Sequence, residues 1–134
     1  MLEHVAIWTK NLEEMKDFYC AYFNGRTGER YRSDTDFSAH FESYFVSFGD
    51  KSRLELMEMA TIPATAYAPG EEATGLTHLA FAVDTTEAVD ELARRAHAEG
   101  RTVLLEPHMT GDGYYEACLL DPDGNRVEIT VLPA

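Results

Sequence analysis

Residues 2–8 read LEHVAIW and residues 76–82 read LTHLAFA, and this self-match decides the architecture. Laid on itself at an offset of 74 to 75, the chain pairs His4 with His78, Ala6 with Ala80 and Glu13 with Glu87, then brings Gly25, Arg26 and Thr27 onto Gly100, Arg101 and Thr102. At an offset of 73, DKSRLEL meets DGNRVEI, which pairs Asp50 with Asp123, Arg53 with Arg126 and Glu55 with Glu128. Matches that keep their order along a half-chain mark an internal repeat. Residues 1–134 are therefore read as one domain of two tandem modules, about 1–60 and 75–134. The stretch 61–74 between them, punctuated by Pro63, Pro69 and Gly70, reads as a connecting loop.

Each module reads as a strand, a helix and further strands. Residues 2–8 and 76–83 alternate, with Val5 and Ile7, or Leu79, Phe81 and Val83, on one face and the histidine on the other. Asn11 followed by Glu14 predicts a capping-box start, after which Leu12, Met15, Phe18, Tyr19, Tyr22 and Phe23 keep helical spacing up to Gly25. Val89, Leu92, Ala93 and Ala96 repeat that pattern up to Gly100. Strands follow at Tyr44 to Phe48 and Arg53 to Met57 around a turn at Gly49-Asp50, and at Tyr115 to Leu120 and Arg126 to Val131 around Pro122-Asp123-Gly124. The expected fold class is α+β: two βαβββ modules, each with its helix covering one face of its sheet.

The composition narrows the partners. With 45% hydrophobic residues the chain can build a packed core. Its formal net charge of -13 sets it against nucleic acid and anionic membrane surfaces. No apolar run approaches the roughly 20 residues of a membrane span, and the first residues are acidic where a secretory leader is basic, so a cytoplasmic location is expected. Cys20 and Cys118 are too few for a disulfide framework and read as small buried apolar residues.

Alternation across the strands then collects the chemistry. If Leu54 and Leu56, or Val127 and Ile129, face the helix, Arg53 and Glu55, or Arg126 and Glu128, share the opposite face with His4 and His78. Two imidazoles and two carboxylates from equivalent places in a repeat suit Zn, Ni, Co, Mn or Fe(II), and they balance the charge of a divalent ion. His40, His97 and His108 have no repeat counterpart and are set aside. Arg53 and Arg126 read as solvated or, more in keeping with their place, as bracing the neighbouring carboxylates or holding structure.

The paired modules, the LEHVAIW and GLTHLAFAV strands and the DPDGNRVEI ending resemble the vicinal-oxygen-chelate superfamily along the whole chain. A histidine opening each module and a glutamate in each last strand resemble glyoxalase I, the lactoylglutathione lyase. The resemblance implies a divalent metal, Ni or Zn foremost, held by His4, Glu55, His78 and Glu128. It also implies isomerisation of the hemithioacetal of a 2-oxoaldehyde and a thiol, through a metal-bound enediolate, to a 2-hydroxyacyl thioester. Glu128 would be the base and Glu55 its near-symmetric partner. A small-molecule substrate and a homodimer follow, with His4 and Glu55 of one subunit meeting His78 and Glu128 of the other, or, if the loop folds both modules into one cup, a complete site in each chain. Glu55 separates the chain from the three-ligand extradiol dioxygenases and fosfomycin-modifying enzymes. The full ligand set separates it from the metal-free bleomycin-binding proteins. An acyl-CoA epimerase and a non-catalytic drug- or metabolite-binding module stand as alternatives. Two positions depart from glyoxalase I: Met59, where an asparagine that helps hold glutathione is usual, and Trp8, where an arginine is common.

Overall fold

The computed structural model describes residues 1–33, 40–49 and 52–133. Its elements run β1 (His4–Trp8), α1 (Leu12–Phe23), β2 (Tyr31–Ser33), β3 (Phe41–Phe48), β4 (Ser52–Glu58), β5 (His78–Ala82), α2 (Thr86–Ala98), β6 (Val103–Met109), β7 (Tyr115–Leu120) and β8 (Arg126–Val131). The strands form two four-stranded mixed sheets, ordered β1-β4-β3-β2 and β5-β8-β7-β6. In each, the opening strand is parallel to the last strand of its module, and the remaining pairs are antiparallel. This is the βαβββ arrangement twice over. The compact units are Met1–Ala66 and Tyr67–Ala134, so the tail of the Pro-rich stretch belongs with the second unit.

The first unit's core forms where the apolar stripe of α1 meets the alternate residues of β3 and β4. Leu12, Met15, Phe18 and Tyr19 are buried against the side of the sheet that carries Tyr44, Val46, Leu54 and Leu56. In the second unit Val89, Ala93 and Ala96 of α2 do the same over Ala117, Leu119, Val127 and Ile129. Burial of this apolar area is the main stabilising term in each unit. It also fixes strand parity, because a slip of one residue would turn every core side chain outward.

The ends of the helices differ from the expected pattern. Thr85 caps α2, its Oγ1 accepting from the Ala88 N–H at 3.2 Å. Asn11 holds the N-cap position of α1 but makes no side-chain cap, so the expected capping box does not form. Instead the Asn11 N–H donates to Thr9 Oγ1, at 2.8 Å, which draws the chain end toward the buried Thr9. Helix α1 stops at Asn24, which takes the left-handed conformation with φ 57°, one residue before the glycine that the spacing suggested. The expected β3–β4 turn at Gly49-Asp50 falls at Asp50 outside the described residues. The short β2 and the whole of β6 were not located by periodicity.

Candidate metal and substrate face

Strand register decides which side chains share the open face of each sheet. In the first unit, His4 lies opposite Arg53, Ala6 opposite Glu55, Trp8 opposite Met57, and Phe45 opposite Glu55 from the other side. Directly opposed residues project from the same face. His4, Glu55, Trp8, Met57 and Phe45 therefore stand together, away from α1. The His4 Nε2 lies 3.6 Å from Glu55 Oε1. The imidazole packs edge-on against Phe45, with ring centroids 5.2 Å apart.

The second unit repeats the pattern. His78 lies opposite Arg126, and Ala80 and Cys118 flank Glu128. The His78 Nε2 lies 3.2 Å from Glu128 Oε1. A tight turn aims this strand: Asp121 Oδ1 accepts from the N–H groups of Asp123 at 3.0 Å and Asn125 at 2.9 Å, and Gly124 turns with φ 87°. The turn fixes the β7–β8 register and so the row in which Glu128 stands. Both carboxylates sit deeper than their histidines, with side-chain exposures of 13% for Glu55 and 22% for Glu128 against 36% and 35% for His4 and His78.

Among the described residues no three metal-ligating side chains gather at one point, so the candidate ligands come as two pairs, one in each unit. Each pair presents one imidazole nitrogen and one carboxylate oxygen, a donor set suited to Zn or Ni and short of the full shell either ion requires.

The arginines do not brace Glu55 and Glu128. Arg53 donates to Glu3 and lies over the Phe45 ring, 4.1 Å from its centroid. Arg126 donates to the Gly70 carbonyl at 3.0 and 3.2 Å and lies 3.7 Å from Glu72, tying the 70–72 loop to its own unit. Longer side chains that reach the loops leave the carboxylates of the same face open.

Glu3 has a role that periodicity did not suggest. Its Oε2 accepts from His4 Nδ1 at 2.6 Å, on the side of the ring away from the Nε2 that faces Glu55. The hydrogen bonds from Arg53 and then His4 hold the Glu3 carboxyl below the usual carboxylate range. A carboxylate behind a ligating imidazole orients the ring and raises its basicity. Thr77 stands at the equivalent place before His78, so this device belongs to the first unit.

Trp8 and Met57 lie on the ligand face, whereas Met59 is buried beyond β4 and belongs to the core. His97 sits on the helix surface and pairs with Glu106 at 2.6 Å. His108, set aside on sequence, lies opposite Glu116 on the face that carries Glu128. Burial and then the neighbouring Glu128 push the Glu116 carboxyl up from its ordinary value. Glu116 was missed because only the parity of β7, counted back from the Asp121 turn, reveals it. Cys118 is buried as expected, whereas Cys20 is only half-buried; the Cys118 thiol, raised by burial, is no reactive thiolate.

The comparisons agree with this fold. Residues 1–129 match the model of the Glyoxalase/Bleomycin resistance protein/Dioxygenase superfamily. The chain belongs to this superfamily. A glyoxalase/bleomycin resistance protein/dioxygenase family enzyme from Burkholderia phytofirmans PsJN is 30% identical, with 96% of each chain covered and a TM-score of 0.67. A lactoylglutathione lyase from Agrobacterium tumefaciens shares the superfamily fold at 23% identity, over 98% of this chain and 92% of that one, with a TM-score of 0.66. The Bacillus subtilis (strain 168) protein YqjT is 38% identical over 58 residues, 41% of this chain and 45% of its own length. The match thus spans under half of that relative. The superfamily includes enzymes such as lactoylglutathione lyase alongside non-enzymatic members, and its members commonly bind divalent metals. No helix among the described residues is long and apolar enough to cross a membrane.

Proposed function

We propose that this superfamily member is a metal-dependent lyase of the glyoxalase I type, which isomerises the hemithioacetal of a 2-oxoaldehyde and a thiol to a 2-hydroxyacyl thioester. The observation that carries the reading is the repeated pair: an imidazole Nε2 at 3.6 Å from a carboxylate oxygen in one unit and at 3.2 Å in the other. His4, Glu55, His78 and Glu128 would hold one divalent ion, Ni or Zn foremost and Co, Mn or Fe otherwise. When bound, the ion supplies Lewis acidity to two neighbouring substrate oxygens.

The chain's own residues do the rest. Glu128 removes the proton from the carbon beside the carbonyl, and Glu55, its counterpart in the repeat, returns a proton to the adjacent carbon. The nearly symmetric pairs suit this exchange, because the two carbons are neighbours and each needs a carboxylate on its own side. Trp8, Phe45 and Met57 provide an apolar wall that limits water near the ionised carbon.

A second reading has its own support. Met59 stands where glyoxalase I is expected to carry an asparagine that helps hold glutathione, and Trp8 where an arginine is common, which favours another thiol, an acyl-CoA epimerase reaction or a non-catalytic binding role. Assay of metal-loaded protein with methylglyoxal plus glutathione, then plus other cellular thiols, separates these. Thioester formation that depends on added Ni or Zn, and that falls by roughly 10²-fold or more in Glu128→Gln with metal still bound, is the expected result. Metal-loaded protein inactive with every thiol would contradict the lyase reading. Full activity in Glu128→Gln would remove that residue from the role of base.

A further inference from the structure

The candidate ligands match between the units, although Phe45 beside Glu55 has Cys118 as its counterpart beside Glu128, and the next row differs in charge. In the first unit Ser43 lies opposite Met57, and at the equivalent places of the second unit Glu116 lies opposite Thr130. A metal centre explains the matched row. The unmatched row needs an asymmetric occupant, and we infer that Glu116 and Thr130 form an acceptor subsite beside His78 and Glu128 that receives an ammonium or other N–H-rich cationic group of the substrate. This inference rests on the metal-centre reading of the same face.

Hydrogen-bond accounting within the second unit supports it. Thr130 is only 7% exposed, and its Oγ1 has no hydrogen-bond partner among the described residues. A buried polar atom without a partner costs free energy unless a ligand or water supplies one. Glu116 is half-buried, and its cross-strand neighbour His108 donates its Nδ1–H to the Glu106 carbonyl at 2.8 Å. Arg126, the cation in β8, is committed to the Gly70 carbonyl and Glu72. Among the described residues no side chain pairs with Glu116 or with the Thr130 hydroxyl, so the row offers a carboxylate and a hydroxyl that lack a partner. A substrate carboxylate would meet repulsion here, whereas an ammonium would satisfy Glu116 and Thr130 together.

Three bidentate hydroxamates test the subsite on the metal-loaded, full-length protein: acetohydroxamate as the neutral probe, glycine hydroxamate as the cationic one and succinic monohydroxamate as the anionic one. Calorimetry is expected to give glycine hydroxamate a lead of roughly tenfold over acetohydroxamate, with the succinic probe the weakest. Glu116→Gln should erase that lead while metal affinity and acetohydroxamate affinity stay within about twofold. Glu116→Ser, which installs the residue found at position 43, should do the same and guards against a folding defect in either variant. An unchanged cationic lead in both variants would overturn the subsite. A fall in metal affinity would overturn it too, by making Glu116 a metal ligand. Failure of metal-loaded protein to bind any of the three probes would instead contradict the metal-centre reading, and the subsite with it.

Discussion

Glu3 is the residue on which the two half-sites differ most. It accepts a 2.6 Å hydrogen bond from His4 Nδ1, and no carboxylate precedes His78. If His4 is a metal ligand, Glu3→Gln should weaken metal binding by roughly 10- to 100-fold, as loss of such outer-shell carboxylates does elsewhere. Glu3 is largely exposed, so the melting temperature of the metal-free protein should hardly move. Competition against a chromogenic chelator measures the affinity, and an unchanged affinity would show that the bond to His4 is incidental. Sequence placed His4 and Glu55 on one face by counting parity from buried Leu54 and Leu56. It could not place Glu3, whose partners are set by side-chain reach, and it sent Arg53 to the wrong carboxylate for the same reason.

Among the elements, the join between α1 and its sheet carries the clearest pH signature. Arg30 donates to Glu13 at 3.1 Å, Glu42 at 2.9 Å and Glu58 at 3.3 Å, and the Tyr44 hydroxyl donates to Glu13 at 2.6 Å. The Tyr44 hydrogen bond first and then Arg30 hold the Glu13 carboxyl below its ordinary value, and Arg30 does the same for Glu42. Carboxyls depressed on folding add stability above their unfolded pKa and lose it as pH falls through the lower folded value. Arg30→Met should therefore cost stability at neutral pH, under about 1 kcal/mol per pair at these part-exposed sites. The deficit relative to wild type should shrink below about pH 4, as both carboxyls protonate. Chemical denaturation across pH checks this, and a deficit that grows in acid would refute it. The elements were legible where a stripe or a turn was strong, as in α2 and the Asp121 turn. They were not where strands are short or irregular: β2 has three residues, and the β6 register shifts twice along β7. The matched Gly25 and Gly100 show how one pattern hides two causes. A Cβ on Gly25 would overlap Val46 and crowd Phe48 at 3.0 Å, whereas Gly100 has open space and a φ of 72°.

At the scale of the whole molecule, the proposed four-ligand site needs the imidazole–carboxylate pairs of two modules in one place. We propose a homodimer in which His4 and Glu55 of one subunit meet His78 and Glu128 of the other. A module with an edge strand and a half-filled ligand face gains from such pairing, and twofold symmetry then yields two identical sites. Mixing His4→Ala chains with His78→Ala chains tests it: one intact site should reappear in the heterodimer, and continued loss of metal binding after confirmed subunit exchange would assign each site to a single chain. The repeat suggests matched half-sites, but no local pattern states which copy faces which. The most direct measurement is calorimetric titration of Ni or Zn into the metal-free protein and into His4→Ala, Glu55→Gln, His78→Ala and Glu128→Gln. The account predicts one ion per chain and an affinity at least roughly tenfold weaker in each of the four variants. A wild-type protein that takes up no stoichiometric ion, or a tight site indifferent to these four residues, would contradict it.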